Sequence, residues 1–136
     1  MQLTPLIAIH LFAASTAIFI GPVALWARKG RVQRPKLHRA FGYAFVTMML
    51  VTAATAVFIR DYDYPNIAGY TPIHLLVPFT LLSLAGAFRH LSRGNIVGHR
   101  GAMQALYIGA CLIAGVFTLM PDRYLGKLLW GQLGLL

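Results

Sequence analysis

Charged residues divide the chain into four long uncharged runs, Met1–Ala27, Ala40–Ile59, Tyr64–Phe88 and Gly101–Pro121. A bilayer core of about 30 Å is crossed by roughly 20 apolar residues in a helix, so each run can cross once. The pattern predicts four transmembrane helices with cores at Pro5–Trp26, Ala40–Ile59, Pro72–Phe88 and Gly101–Met120. Short connections make them alternate in direction. The expectation is an all-α, integral membrane four-helix bundle, up-down-up-down, in a single domain over residues 1–136. The tail at 124–136 is apolar but too short to cross, so it is expected to lie in the interface or to dock on a partner helix.

Composition agrees with a membrane chain. Hydrophobic residues make up 58% and charged ones 11%, with mean hydropathy +0.67, whereas a soluble domain carries about a quarter charged residues. The few charges are unbalanced: twelve Lys and Arg against three Asp and Glu, a formal net charge of +9. In a soluble chain that excess would suggest nucleic acid, but position along the chain gives another reading. Arg28, Lys29, Arg31, Arg34, Lys36, Arg39, Arg89, Arg93 and Arg100 fall on one side of the bundle with no acid. Arg60, Arg123 and Lys127 share the other side with Asp61, Asp63 and Asp122. The positive-inside rule makes the basic loops cytoplasmic and both termini periplasmic, in a bacterial inner membrane. The bilayer is then the first partner, and no nucleic acid is expected. No basic residue precedes the first apolar run, so that run reads as a retained helix rather than a cleaved signal. Cys111 lies within the fourth span without a partner cysteine and reads as a buried thiol.

Ionisable groups at membrane depth are costly, which directs attention to the five histidines. His10 and His74 lie near the expected outer ends of helices one and three. His38 and His99 open helices two and four from the inside, each followed by arginine, in His38-Arg39 and His99-Arg100. The two hairpins read as a weak tandem repeat of parallel units. Across an axis along the membrane normal His10 pairs with His74 and His38 with His99, each pair at similar depth. Two imidazoles on opposite faces of a planar group suit a bis-histidine haem b, one or two per chain. A bare zinc or copper ion fits less well, because each level offers only two histidines and no nearby acid. Ala13, Ala14, Ala17, Gly21, Gly42 and Gly109 make room for a macrocycle, or equally for close helix packing. Arg39 and Arg100 can bind haem propionates, hold lipid headgroups, or simply set the sidedness. His90 reads as a solvated interfacial residue.

The layout of His10 in a small-residue helix, Gly30 in a basic loop, His38-Arg39 with Gly42, Thr71-Pro-Ile-His74, Gly98-His99-Arg100 with Met103, and Pro121-x-Arg123 resembles a bacterial family of small predicted membrane proteins that forms a domain of unknown function. The resemblance covers nearly the whole chain and implies the architecture, not a reaction. The alternating pairs are also similar in layout alone to the di-haem cytochrome b561 group, which implies one haem near each membrane face. The functional expectation is a small haem b protein passing electrons within or across the bilayer, to or from a quinone or a redox partner protein. Its metal ligands would be His10, His74, His38 and His99. The alternative is a non-catalytic accessory subunit of a larger respiratory or photosynthetic membrane complex. Three acids, all on one side, leave hydrolytic acid-base chemistry little to work with.

Overall fold

The computed structural model describes residues 3–135; among these it contains one isolated antiparallel bridge, Ile67 to Tyr70, and no strand. Helix α1 spans Pro5–Trp26, α2 Pro35–Phe58, α3 Pro72–Ser92, α4 Ile96–Thr118 and α5 Tyr124–Gln132. The first four are long and apolar enough to cross a membrane. Their outer surface carries Phe12, Phe19, Phe58, Leu82 and Val97, all largely exposed. Lipid solvates such side chains, while each helix satisfies its own backbone.

Several helix ends differ from the expected ones. α2 begins at Pro35 rather than residue 40, because proline at the first helical position has its φ preset and no N–H to leave unpaired. α4 begins at Ile96 rather than 101, capped by the Asn95 side chain, which accepts the Gly98 N–H at 2.8 Å. Lys36, Arg39 and Arg100 lie within these first turns, from which long cationic side chains reach the headgroups without leaving the helix. His38 and His99 therefore do not precede their helices: each is the fourth residue of its own. α3 runs on from Phe88 to Ser92, with Arg89 and His90 in the last turn, where cations favour the helix dipole.

The residues after α4 form a helix of their own. α4 stops at Thr118 rather than Met120, and α5 folds back on its end. Gly126 sits so close to the Met120 carbonyl that no Cβ fits, and the Trp130 indole donates to the Leu119 carbonyl at 2.8 Å. The tail thus contacts the end of α4 in its own chain; Met1, Gln2 and Leu136, which belong to the expected runs, lie outside the described residues.

α1 packs along α2 and α3 along α4, and contacts of α2 with α3 and of α1 with the middle of α4 close the ring. Ala17, Phe45, Met49, Leu84, Leu106 and Cys111 form the core. The small face of α1, Ala13, Ala17, Gly21 and Ala24, is buried. A Cβ on Gly21 would lie 2.7 Å from Tyr107 ring carbons and 3.1 Å from Phe45. Of the two roles open to these small residues, Ala13, Ala17 and Gly21 therefore serve close packing. Gly109 likewise lies under the Phe79 ring, while Gly42 faces open space.

Pro22 interrupts α1 chemically without ending it. Lacking an N–H, it returns nothing to the Ile18 carbonyl, and the Tyr107 hydroxyl donates to that oxygen at 2.9 Å. Tyr107 opens a stretch of π-helix, Tyr107–Ile113, inside α4. Such stretches recur at functional sites, and this one supplies Ala110, Cys111 and Leu112 to the cavity described next.

Candidate functional site

The bundle has two unlike ends. The basic end carries the 27–34 and 93–95 connections; the terminal end carries the 59–71 loop, the 119–123 turn and α5. A cavity of about 570 Å³ occupies the half of the bundle toward the terminal end and is walled by α1 to α4, with Tyr124 and Leu125 of α5 also lining it. Its walls are mainly apolar. His10 and His74 both line it, so the structure brings the first expected pair into one space.

His10, the sixth residue of α1, is held by α2. Its Nδ1 lies 3.1 Å from the Thr52 carbonyl and 3.0 Å from the Thr55 hydroxyl. A carbonyl oxygen only accepts, so Nδ1 carries the proton and Nε2 keeps its lone pair. Thr52 and Thr55 hydroxyls in turn donate to the Met48 and Val51 carbonyls, the usual way a polar side chain is satisfied within a membrane helix.

His74 has the opposite tautomer. The Thr71 N–H donates to its Nδ1 at 3.1 Å in a reciprocal cap of the first turn of α3. Its Nε2–H donates to the Ile59 carbonyl at 2.9 Å. Ile59 is extended, so its carbonyl escapes the α2 ladder and needs such a donor. The Tyr70 ring meets the imidazole edge to face at 5.1 Å. The Thr71 carbonyl also lies 3.2 Å from Nδ1, so the alternative tautomer has an acceptor in place.

The second pair repeats one local device in both hairpins. His38 Nδ1–H donates to the Ala24 carbonyl at 2.8 Å, and His99 Nδ1–H to the Ala87 carbonyl at 3.0 Å. Each fourth-residue histidine thus ties its helix to the end of the preceding one and keeps an Nε2 lone pair. Anchoring Nδ1–H on a carbonyl is how metal-binding histidines are oriented, and it is equally a sound hairpin clasp. The expected propionate partners do not reach the cavity wall. Arg39 is exposed, and Arg100 donates to the Arg28 carbonyl at 3.2 Å across the basic end. His90 packs on Gly98 and contacts Asn95 at 3.2 Å, a turn-stabilising role.

The cation at the cavity is Arg123, which belongs in sequence to the balanced face and to the Pro121-x-Arg123 motif. Arg123 pairs with Asp61, both side chains mostly buried, and its guanidinium lies 3.9 Å from the Tyr64 ring centroid. Together with Asp63, Asp122, Tyr124 and Lys127 these residues also line a second cavity of about 410 Å³ at the terminal end. Thr52 and Thr55 carry no such motif in the sequence, whereas Thr71 stands in Thr71-Pro-Ile-His74. A threonine one turn from a core position carries no signal of what it holds until the helix crossing is known. Among the described residues no group of three or more His, Cys, Asp or Glu converges as a metal site.

An integral membrane bundle of two parallel hairpins, with a histidine-lined cavity toward one end, is the class of protein these features define. The family model described as Predicted membrane protein (DUF2306) matches residues 7–125, and the chain belongs to that family. No curated protein and no solved structure matches it, and none of these comparisons relates it to the cytochrome b561 group.

Proposed function

We infer that this is a small haem b protein of the bacterial inner membrane that moves electrons within or across the bilayer. The observation that carries the reading is the joint presence of His10 and His74, from diagonal helices, on one mainly apolar cavity of about 570 Å³, a volume within the roughly 300–1,000 Å³ of ligand sites. His10 would hold the haem through Nε2, its ring fixed by Thr52 and Thr55 at Nδ1. For His74 to ligate, its proton moves to Nδ1, which then donates to the Thr71 carbonyl, and Nε2 releases Ile59. The lost hydrogen bond costs about 1 kcal/mol net. Bound haem supplies one-electron chemistry at iron, its potential tuned by burial and by the hydrogen bonds on the ligand rings.

His38 and His99 share the Nδ1 anchoring, and where the chain binds two haems they would hold the second, at the basic end. Arg39 and Arg100 there remain candidates for its propionates, while Arg123 takes that role at the terminal end. The basic loops face the cytoplasm and both termini the periplasm.

Haem content per chain, measured on the purified protein and its single alanine variants, tests this. His10→Ala and His74→Ala are expected to remove one and the same haem, and His38→Ala and His99→Ala the other if two are present. Full haem content in all four variants contradicts the assignment. A colourless chain from haem-replete cells that co-purifies with a larger membrane complex supports an accessory subunit instead.

A further inference from the structure

The two hairpins share the histidine clasp, but their connections at the basic end differ. α3 and α4 are joined by the short 93–95 turn, whereas α1 and α2 are joined by residues 27–34, which carry the cations Arg28, Lys29, Arg31 and Arg34. Sidedness is satisfied by lysine or arginine in any arrangement, yet this loop has a fixed form. The Arg34 N–H donates to the Ala27 carbonyl at 2.9 Å and closes it. Gly30 turns the chain at φ +58°, and Gln33 ties the two sides together. Its amide N–H donates to the Gly30 carbonyl at 3.1 Å, and its amide oxygen accepts from the Arg28 guanidinium at 2.7 Å. Arg100 of the other hairpin braces the loop through the Arg28 carbonyl. The Arg34 guanidinium stands 5.4 Å from the Trp26 ring centroid, and Trp26, the last residue of the spanning helix α1, is 47% exposed.

No carboxylate of the chain neutralises these cations, because all three acids line the second cavity at the terminal end. Like charges ordered in one loop repel, and an anion from outside the chain relieves the repulsion. The depth of the loop identifies that anion. A tryptophan at the end of a spanning helix sits at headgroup level, and the guanidinium over it is held at the same level, where lipid phosphate is the nearest negative charge. We propose that the 27–34 loop binds the headgroup of an anionic phospholipid, with the Arg28 and Arg34 guanidiniums on the phosphate and Trp26 against the upper part of an acyl chain. The planar, multi-donor guanidinium suits phosphate oxygens.

Trp26 reports on its own lipid neighbours once the second tryptophan is removed by Trp130→Phe. The chain is reconstituted in phosphatidylcholine vesicles containing a minor share of phosphatidylglycerol brominated high on its acyl chains, or the same share of equally brominated phosphatidylcholine. Quenching of Trp26 fluorescence is then compared. Selection of phosphatidylglycerol over phosphatidylcholine by about tenfold is expected, the scale of two cations beside an anionic headgroup. Arg28→Gln combined with Arg34→Gln should abolish the selection, while Arg89→Gln combined with Arg93→Gln at the other connection should keep it. Equal quenching by the two lipids, a comparison that needs no loop variant, overturns the proposal and leaves the loop to an acidic protein or to sidedness alone. Selection that survives the loop variant overturns it too, since diffuse charge then suffices. So does selection that collapses when inorganic phosphate replaces chloride at constant ionic strength, which would make the loop a receptor for free phosphate. None of these outcomes depends on whether haem is bound.

Discussion

Replacing Tyr107 with phenylalanine removes one hydrogen bond and little else, and the structure says how much it should matter. The hydroxyl donates at 2.9 Å to the Ile18 carbonyl, whose natural helical partner, the N–H of residue 22, is missing because that residue is proline. Interhelical hydrogen bonds in membrane proteins average about 0.6 kcal/mol and reach about 1.7, because a broken bond usually finds a substitute. Leaving a buried carbonyl with none costs about 1–3 kcal/mol. Ile18 is the second case, so the expected loss is about 1.5 kcal/mol. In a Pro22→Ala background the N–H is restored, and Tyr107→Phe should then cost about 0.5 kcal/mol, a coupling of roughly 1 kcal/mol. Reversible unfolding in mixed micelles of all four proteins measures it. Equal costs of Tyr107→Phe in the two backgrounds would refute the argument that proline creates the need for the tyrosine.

Other outcomes follow from the same geometry. Thr55→Val leaves the His10 ring with a single anchor and should speed haem loss to an acceptor globin by about tenfold, the low end for such supporting contacts; unchanged loss would mean that Thr55 does not orient the ring. Gly21→Val pushes side-chain atoms into the Tyr107 ring and should cost about 1–3 kcal/mol in the micelle unfolding assay, whereas Gly42→Val, which meets nothing, should be tolerated. Asp61→Asn strands the Arg123 charge and should cost about 2 kcal/mol, less than the roughly 3–5 of a fully buried pair. Thermal melts in detergent should separate it clearly from Asp63→Asn on the exposed neighbour, and matching melts would contradict this.

The four spans were legible because lipid forces apolar side chains outward and leaves the backbone no partner but itself, so hydropathy alone marks them. Their ends were not, since Lys36, Arg39 and Arg100 are compatible with a helical turn that charge-counting excludes. What starts α2 and α4 is Pro35 and the Asn95 cap. The histidine spacing correctly suggested two equivalent hairpins, and the structure sharpens this to a fourth-residue histidine clasping the preceding helix in each. Spacing carries no information on tautomers, so the contrast between His10 and His74 was invisible. Nor does it reveal an ion pair such as Asp61 with Arg123, joined across 62 residues of chain. The small residues of α1 illustrate the limit: the same composition serves a cofactor or a neighbouring helix, and Tyr107 against Gly21 decides for the helix.

The central claim, that paired histidines hold haem in this bundle, is tested most directly by the absorption and electron paramagnetic resonance spectra of the purified chain, oxidised and reduced. The account predicts a low-spin ferric haem with two imidazole ligands and a sharp reduced α-band that His10→Ala weakens. A chain without haem absorption, or a high-spin haem that His10→Ala leaves untouched, would contradict it.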